Sequence, residues 1–279
     1  DLNFTVQRTI DRIVFLRICE DRGIEKYGRL MALQNGDRVY ARLCEMFHRA
    51  DERYNSGLFH FQKDKSRAES PDTLTLNVTV DDSALKNIIK NLYYPDSPYE
   101  FSVISPNILG QVYEQFLGKV IRLTAGHRAV VEEKPEVRKA GGVYYTPTYI
   151  VDYIVKNTVG KLVRAENFQP LRKTILKEIS KIRILDPACG SGSFLLGAYT
   201  YLLDWHRDWY VADGREKWAT GRSPVLYQGM GGDWRLTTAE CKRILLNNIY
   251  GVDIDPQAVE VTKLSLLLKV LEGESEQTL

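Results

Sequence analysis

The chain has 279 residues, of which 44% are hydrophobic and 27% charged, with a formal net charge of +2. That length and composition suit one large or two ordinary globular domains and exclude a disordered or collagen-like chain. So small a net charge makes whole-molecule attraction to a polyanion weak, and any nucleic-acid surface has to be a local cluster of Lys and Arg.

The first half reads as mostly helical. Ile10, Ile13, Val14 and Ile18 share one face while Arg8, Arg12, Glu20 and Arg22 lie elsewhere, the spacing of a half-buried helix that Gly23 ends. A second helix is predicted from Arg38 to Arg49, loop from Leu58 to Ser70, and a strand or extended segment in the alternating stretch Leu74 to Val80. Asp81 or Asp82 caps a predicted helix from Ser83 to Leu92, closed by Pro95 and Pro98. Ser105 and Pro106 serve as cap and first position of the next, from Asn107 to Leu123. Polar residues between Thr124 and Gly142 predict a linker, which divides a helical connector domain, residues 1–130, from a second domain, residues 131–279.

Beyond the linker a helix is predicted from Pro147 to about Val163, with Thr146 as N-cap and Ile150, Val151, Ile154 and Val155 as its buried stripe. A basic helix follows from Leu171 to Ser180. Then come a buried strand at Ile182 to Leu185, a tight turn, a helix from Phe194, an aromatic insertion from about Leu203 to Glu240, and a second strand at Asn248 to Val252. Asp255 and Pro256 look like the cap and first residue of a last helix. This order is α/β.

Three stretches carry the chemistry: Gly142 to Pro147, Asp186-Pro187-Ala188-Cys189-Gly190-Ser191-Gly192-Ser193-Phe194, and Tyr250 to Pro256. Each predicted strand ends on an acid, Asp186 or Asp253, and ligands of open α/β sheets bind at the carboxyl ends of strands. Gly190 and Gly192 permit positive φ and let a ligand approach the main chain. The third glycine of a dinucleotide fingerprint is absent, and so is a phosphate-binding Gly-x-x-x-x-Gly-Lys loop. A leading carboxylate suits a cationic ligand instead, and S-adenosylmethionine carries both an ammonium and a sulfonium. Asp253 can accept from both ribose hydroxyls, charge-assisted bonds worth roughly 1.5–3 kcal/mol each. Ile254 can pack on the adenine ring, and the helix start near Thr146 can seat the methionine carboxylate.

Together the three stretches resemble the S-adenosylmethionine-binding half of adenine-N6 DNA methyltransferases. Upstream, the stretches Ile10 to Gly23 and Ile108-Leu109-Gly110-Gln111-Val112-Tyr113-Glu114-Gln115-Phe116-Leu117-Gly118 are similar to the helical segment of large fused restriction-modification proteins, where it joins a nuclease to the methyltransferase. The resemblance implies a partial Rossmann-like methyltransferase sheet preceded by a mostly α-helical domain. It also implies Tyr145, Thr146 and Pro147 at the methionine end, Asp186, Ala188, Gly190 and Gly192 around the sulfonium and ammonium, and Asp253 with Ile254 at the adenosine. Double-stranded DNA would be the partner, through the full-length protein, and whether a nuclease domain is fused upstream stays open. The family's Asn-Pro-Pro-Tyr tetrapeptide occurs nowhere in the sequence, so no catalytic residue is assigned and the chain is expected to be part of a longer enzyme, inactive alone. The resemblance, not the residues, favours adenine over cytosine. A non-catalytic scaffold or regulatory module, or methylation of RNA or protein, stays open beside it.

Other features take plainer readings. Cys189 fills space in the turn; the basic run Arg172, Lys173, Lys177, Lys181 and Arg183 is a solvated face; and Trp205, Trp209, Trp218 and Trp234 pack a core. Cys19, Cys44, Cys189 and Cys241 form no Cys-x-x-Cys pair, and His48, His60, His127 and His206 share no ligand spacing, so no metal site is assigned. The most apolar stretch, Leu264 to Leu271, is interrupted by Lys269 and far short of the roughly 20 residues that span a bilayer. No signal-peptide pattern opens the chain, and a soluble cytoplasmic protein is expected.

Overall fold

The computed structural model describes residues 2–54, 56–63, 70–126, 128–135, 146–164, 172–229 and 231–274. Two compact units divide the chain: Asp1–Leu109 with Gln115–Gly142 and Glu272–Leu279, and Gly110–Glu114 with Val143–Leu271. No helix among the described residues is long and apolar enough to cross a membrane.

The first unit is built round α1 (Leu2–Asp21). Its predicted half-burial is corrected: from Asp11 to Glu20 almost every side is covered, while Ile10 is 46% exposed. The reason is that its charged residues are used inside. Arg12 is fully buried, donates to the Leu58 carbonyl at 3.0 Å, pairs with Asp72 at 2.8 Å, and lies 4.5 Å from the Phe61 ring centre. Arg17 donates to the Leu92 carbonyl at 2.9 Å and stacks 4.1 Å from the Tyr93 ring centre. Glu20 accepts from the Gly28 and Leu30 amides and the Tyr93 hydroxyl. Charges survive burial only when paired and hydrogen-bonded, and these are.

Around α1 stand α2 (Val39–Tyr54) and α3 (Asp82–Lys90). Asp81 is the cap of α3, accepting from the Ser83 and Ala84 amides at 2.9 and 3.0 Å, whereas Asp82 turns to the Val39 amide at the start of α2. The stretch Leu74 to Val80, predicted as a strand or extended segment, forms no strand, and Val78 is extended at ψ 158°. Asp72 takes the amides of Leu74 and Thr75 at 3.1 and 3.0 Å, and this local bonding winds Thr75–Asn77 into a single 3-10 turn.

Helix α4 (Pro106–Leu117) also departs from its predicted span, which ran to Leu123. After Gly118 the chain forms β1 (Lys119–Leu123), antiparallel to β2 (Ala129–Glu133), with Ile121 opposite Val131. The β-branched residues Val120, Ile121, Val130 and Val131 favour the pleated ladder, and Arg122 with Glu132 pairs across it at 2.7 Å. The first part of the predicted linker is therefore a hairpin. Residues 136–145, including Tyr144 and Tyr145, lie outside the described residues.

In the second unit α5 (Thr148–Asn157) and α6 (Val159–Leu162) replace the single helix predicted from Pro147 to Val163. The Thr158 hydroxyl bonds back to the Ile154 carbonyl at 2.7 Å, which competes with helical bonding at the break. Val151 and Val155 are buried as predicted, but Ile150 and Ile154 are exposed. Next come α7 (Arg172–Ile179), β3 (Ile184–Asp186), α8 (Ser193–Ala212), α9 (Arg215–Trp218), β4 (Leu226–Gln228), β5 (Trp234–Leu236), α10 (Thr238–Asn248), β6 (Ile249–Gly251) and α11 (Pro256–Val270).

Strands β3 and β6 pair in parallel, Leu185 opposite Tyr250 and Asp186 opposite Gly251, while β4 and β5 make an antiparallel hairpin. The β3–β6 pairing is extended by bonds from the Val252 amide to Asp186 O and from the Cys189 amide to Val252 O, both 2.9 Å. Fully buried Asn248 ties the end of α7 to the start of β6, donating to the Ile179 and Ile182 carbonyls at 2.9 and 2.8 Å. The core gathers Leu195, Ala198, Tyr199 and Leu202 of α8 against Val151, Val155, Ile244 and Ile249, with all four tryptophans packed at its margin. Helix α5 comes so close to α8 that a Cβ on Gly197 would stand 2.5 Å from a Val151 methyl.

Candidate functional site

The turn from β3 into α8 is held from several sides. Asp186 closes β3 half-buried and accepts from the Ala188 amide at 3.1 Å. Cys189 points into the core, and burial raises its thiol pKa against a hydrogen bond with Thr262 that lowers it. Gly190 and Gly192 adopt φ of +53° and +85°, the left-handed region that side chains disfavour. Gly192 immediately precedes α8, whose positive dipole end therefore faces the turn.

The second strand supplies the turn's braces. Asp253 lies two residues beyond β6, and its two oxygens accept separate backbone amides, Gly190 on Oδ2 and Asp255 on Oδ1, each at 2.8 Å. Asp255 caps α11 by accepting from the Gln257 amide at 3.0 Å, and Pro256 is its first residue, as predicted. Thr262 of α11 donates its hydroxyl to the Gly190 carbonyl at 2.9 Å.

The structure thus brings Asp186, Ala188, Gly190, Gly192 and Asp253 to one lip at the carboxyl ends of two parallel strands, with two carboxylates on it. Ile254, beside Asp253, is fully exposed at 101% of its reference area. Thr146 and Pro147 stand before α5, which packs on α8 through Val151 and Gly197. The predicted cap is corrected: Thr148 is the first helical residue, Pro147 at ψ 141° occupies the cap position, and no side chain caps the helix. Tyr145 lies outside the described residues. Sequence reasoning missed Thr262, since nothing in a helix of apolar residues signals a bond to a glycine 72 positions away.

The turn and the acid beyond the neighbouring parallel strand lie at the carboxyl ends of the strands, where open α/β sheets bind ligands, and residues 162–277 match the family model described as the MmeI DNA-methyltransferase domain. The match is to a methyltransferase domain. The whole chain is 34% identical over 278 residues to the type II restriction enzyme and methyltransferase RM.Eco57I of Escherichia coli, covering 100% of the chain and 25% of that protein. It is 32% identical over 200 residues, 61% of the chain and 14% of the relative, to a Methanocaldococcus jannaschii protein provisionally assigned as a type II restriction enzyme and methyltransferase. It is 24% identical over 236 residues, 76% of the chain and 16% of the relative, to the adenine-specific methyltransferase BrxX of Escherichia coli O9:H4. The chain thus spans a quarter or less of the length of these relatives. The resemblance to adenine methyltransferases of fused restriction-modification type is thereby shown.

Proposed function

We propose that the chain is the cofactor-binding part of a site-specific DNA methyltransferase that moves a methyl group from S-adenosylmethionine to the N6 amino group of adenine within a restriction-modification system. One observation carries the reading: the Gly190 amide bonded to Asp253 at 2.8 Å, which joins the glycine turn and the second acidic strand end into a single lip. The names of the relatives support DNA as the partner and a nuclease within the same polypeptide. In this reading residues 1–130 are the connector and residues 131–279 belong to a Rossmann-like methyltransferase domain.

The residues present fit the cofactor. A carboxylate offers about four acceptor sites, and the two bonds that Asp253 makes leave it able to receive ribose hydroxyls. Asp186 and the open turn offer negative charge to the ammonium and sulfonium, while exposed Ile254 offers an apolar face to adenine. Thr146 and Pro147, with Tyr145, hold the methionine end. When bound, S-adenosylmethionine supplies an electrophilic methyl on sulfur. The chain's own residues bind and orient it, which is the main requirement of a transfer governed by alignment. Reaching the base in a duplex means flipping it out at a cost of a few kcal/mol.

Isothermal titration of the chain with S-adenosylmethionine tests the reading. Binding by the wild type, lost in Asp253→Ala at a temperature where circular dichroism shows both folded, is the expected result. A folded wild type that takes up no cofactor would refute it.

A further inference from the structure

We infer that Thr262 is a positioning residue for the glycine turn, orienting the Gly190–Ser191 peptide against which the cofactor lies. The inference rests on the cofactor reading above and extends it to a residue outside the three stretches that suggested it.

Gly190 sits at φ +53°, a conformation that glycine can leave as easily as enter unless something holds it. Both of its main-chain groups are held by side chains of one segment, β6 to α11. Asp253 takes the amide at 2.8 Å and Thr262 gives its hydroxyl to the carbonyl at 2.9 Å. A helical threonine commonly bonds its hydroxyl back to a carbonyl one turn earlier, but Thr262 reaches across 72 positions of sequence to the turn. Because a trans peptide is planar, fixing the Gly190 carbonyl toward α11 also directs the Ser191 N–H to the opposite side of that plane. The same side chain enforces the next glycine: a Cβ on Gly192 would stand 2.8 Å from both the methyl and the hydroxyl of Thr262. Thr262 is itself buried, at 5% exposure, so its work lies in the turn and not in contact with a ligand. One residue of α11 thereby sets the shape of both glycines.

Thr262→Val keeps the shape and removes the hydroxyl, while Thr262→Ser keeps the hydroxyl. Titration of each with S-adenosylmethionine is expected to show Val weakened about fivefold to tenfold, the scale of one lost hydrogen bond, and Ser within about twofold of the wild type. Hydrogen exchange of the free protein is expected to show faster exchange at residues 190–192 in Thr262→Val, with α8 and α11 unchanged. Should Thr262→Val not fold, Thr262→Ala removes the same hydroxyl with less bulk and carries both measurements. Wild-type affinity in a variant lacking the hydroxyl, turn exchange unaltered by its removal, or a Ser variant as weak as Val would each overturn the inference. Failure of the wild type to bind refutes the cofactor reading instead, and the exchange measurement still decides whether Thr262 holds the turn.

Discussion

Asp253 serves two amides at once, so its replacement acts on the turn as well as on any ligand. Asp253→Asn keeps the size but presents an NH2 where one N–H already points, and Asp253→Ala leaves both amides without their acceptor. Each variant is expected to lower Tm by several degrees in scanning fluorimetry, a loss of about 1–3 kcal/mol, and to weaken S-adenosylmethionine more than tenfold. Wild-type stability with lost binding would show that the bracing role is negligible. In the first unit Arg12 poses a different case, a charge fully buried and paired within that unit's own core. Burial lowers the pKa of the guanidinium. The Asp72 carboxyl is pushed up by burial but ends below its ordinary value, because Thr75 and Arg12 hydrogen-bond to it. Arg12→Leu strands Asp72 and is expected to cost about 3–5 kcal/mol in urea unfolding. Adding Asp72→Asn should recover part of that loss, and a purely additive double mutant would contradict the pairing.

At the scale of elements, the helix contact between α5 and α8 depends on the absence of a side chain. Gly197→Ala forces a Cβ to 2.5 Å from a Val151 methyl, and the helices must separate. A loss of about 1–3 kcal/mol is expected from urea unfolding, against the gain that alanine normally gives inside a helix. Adding Val151→Ala should restore much of it. The same elements show what was legible in the sequence. The strand, turn and helix from Ile184 to Ala212 could be read from an apolar run, two glycines and a second apolar run in close succession, but the burial predicted for the strand fails, since Leu185 is 60% exposed. Asp255 could be read, and Asp81 as one of two candidates, because a cap bonds amides only two or three residues on. The stretch Lys119–Leu123 could not, since five residues suit either a helix end or a strand until their partner, Ala129–Glu133, is known. The break at Thr158 was equally hidden, because a threonine in a helix bonds back in some contexts and not in others.

Over the whole molecule the two units carry different acid-sensitive groups. His206 of the second unit is fully buried, and desolvation pushes its pKa down to about 4 from 6.5; the Leu202 carbonyl and Glu240 oppose that shift and Arg243 adds to it. Between those values the unfolded chain binds a proton that the folded chain refuses, so stability falls as pH drops from about 6.5 toward about 4. Asp72 of the first unit has a lowered pKa, so its contribution is present above the unfolded value and is lost only as pH falls through the folded one, below the usual carboxylate range. All 4 tryptophans lie in the second unit, so their fluorescence reports its unfolding alone. Melting followed at pH 7, 5.5 and 4.5 is expected to show a steady fall in the tryptophan-detected Tm. His206→Phe should flatten that fall, and an equal slope in the variant would exclude His206 as its source.

Local order was determined by the sequence itself: the acids at or just beyond the ends of two strands, the glycines between strand and helix, the Asp255 cap, and the kinship with restriction-modification methyltransferases. Each of these is written within a few neighbouring residues, where geometry follows from spacing. Tertiary structure alone decided that Gly190 would be held by Asp253 and Thr262, that Arg12 and Arg17 would be core residues, and that Gly197 would admit a neighbouring helix. Those contacts join positions tens of residues apart, and a charge or a glycine reads alike in sequence whether solvent or a partner side chain meets it.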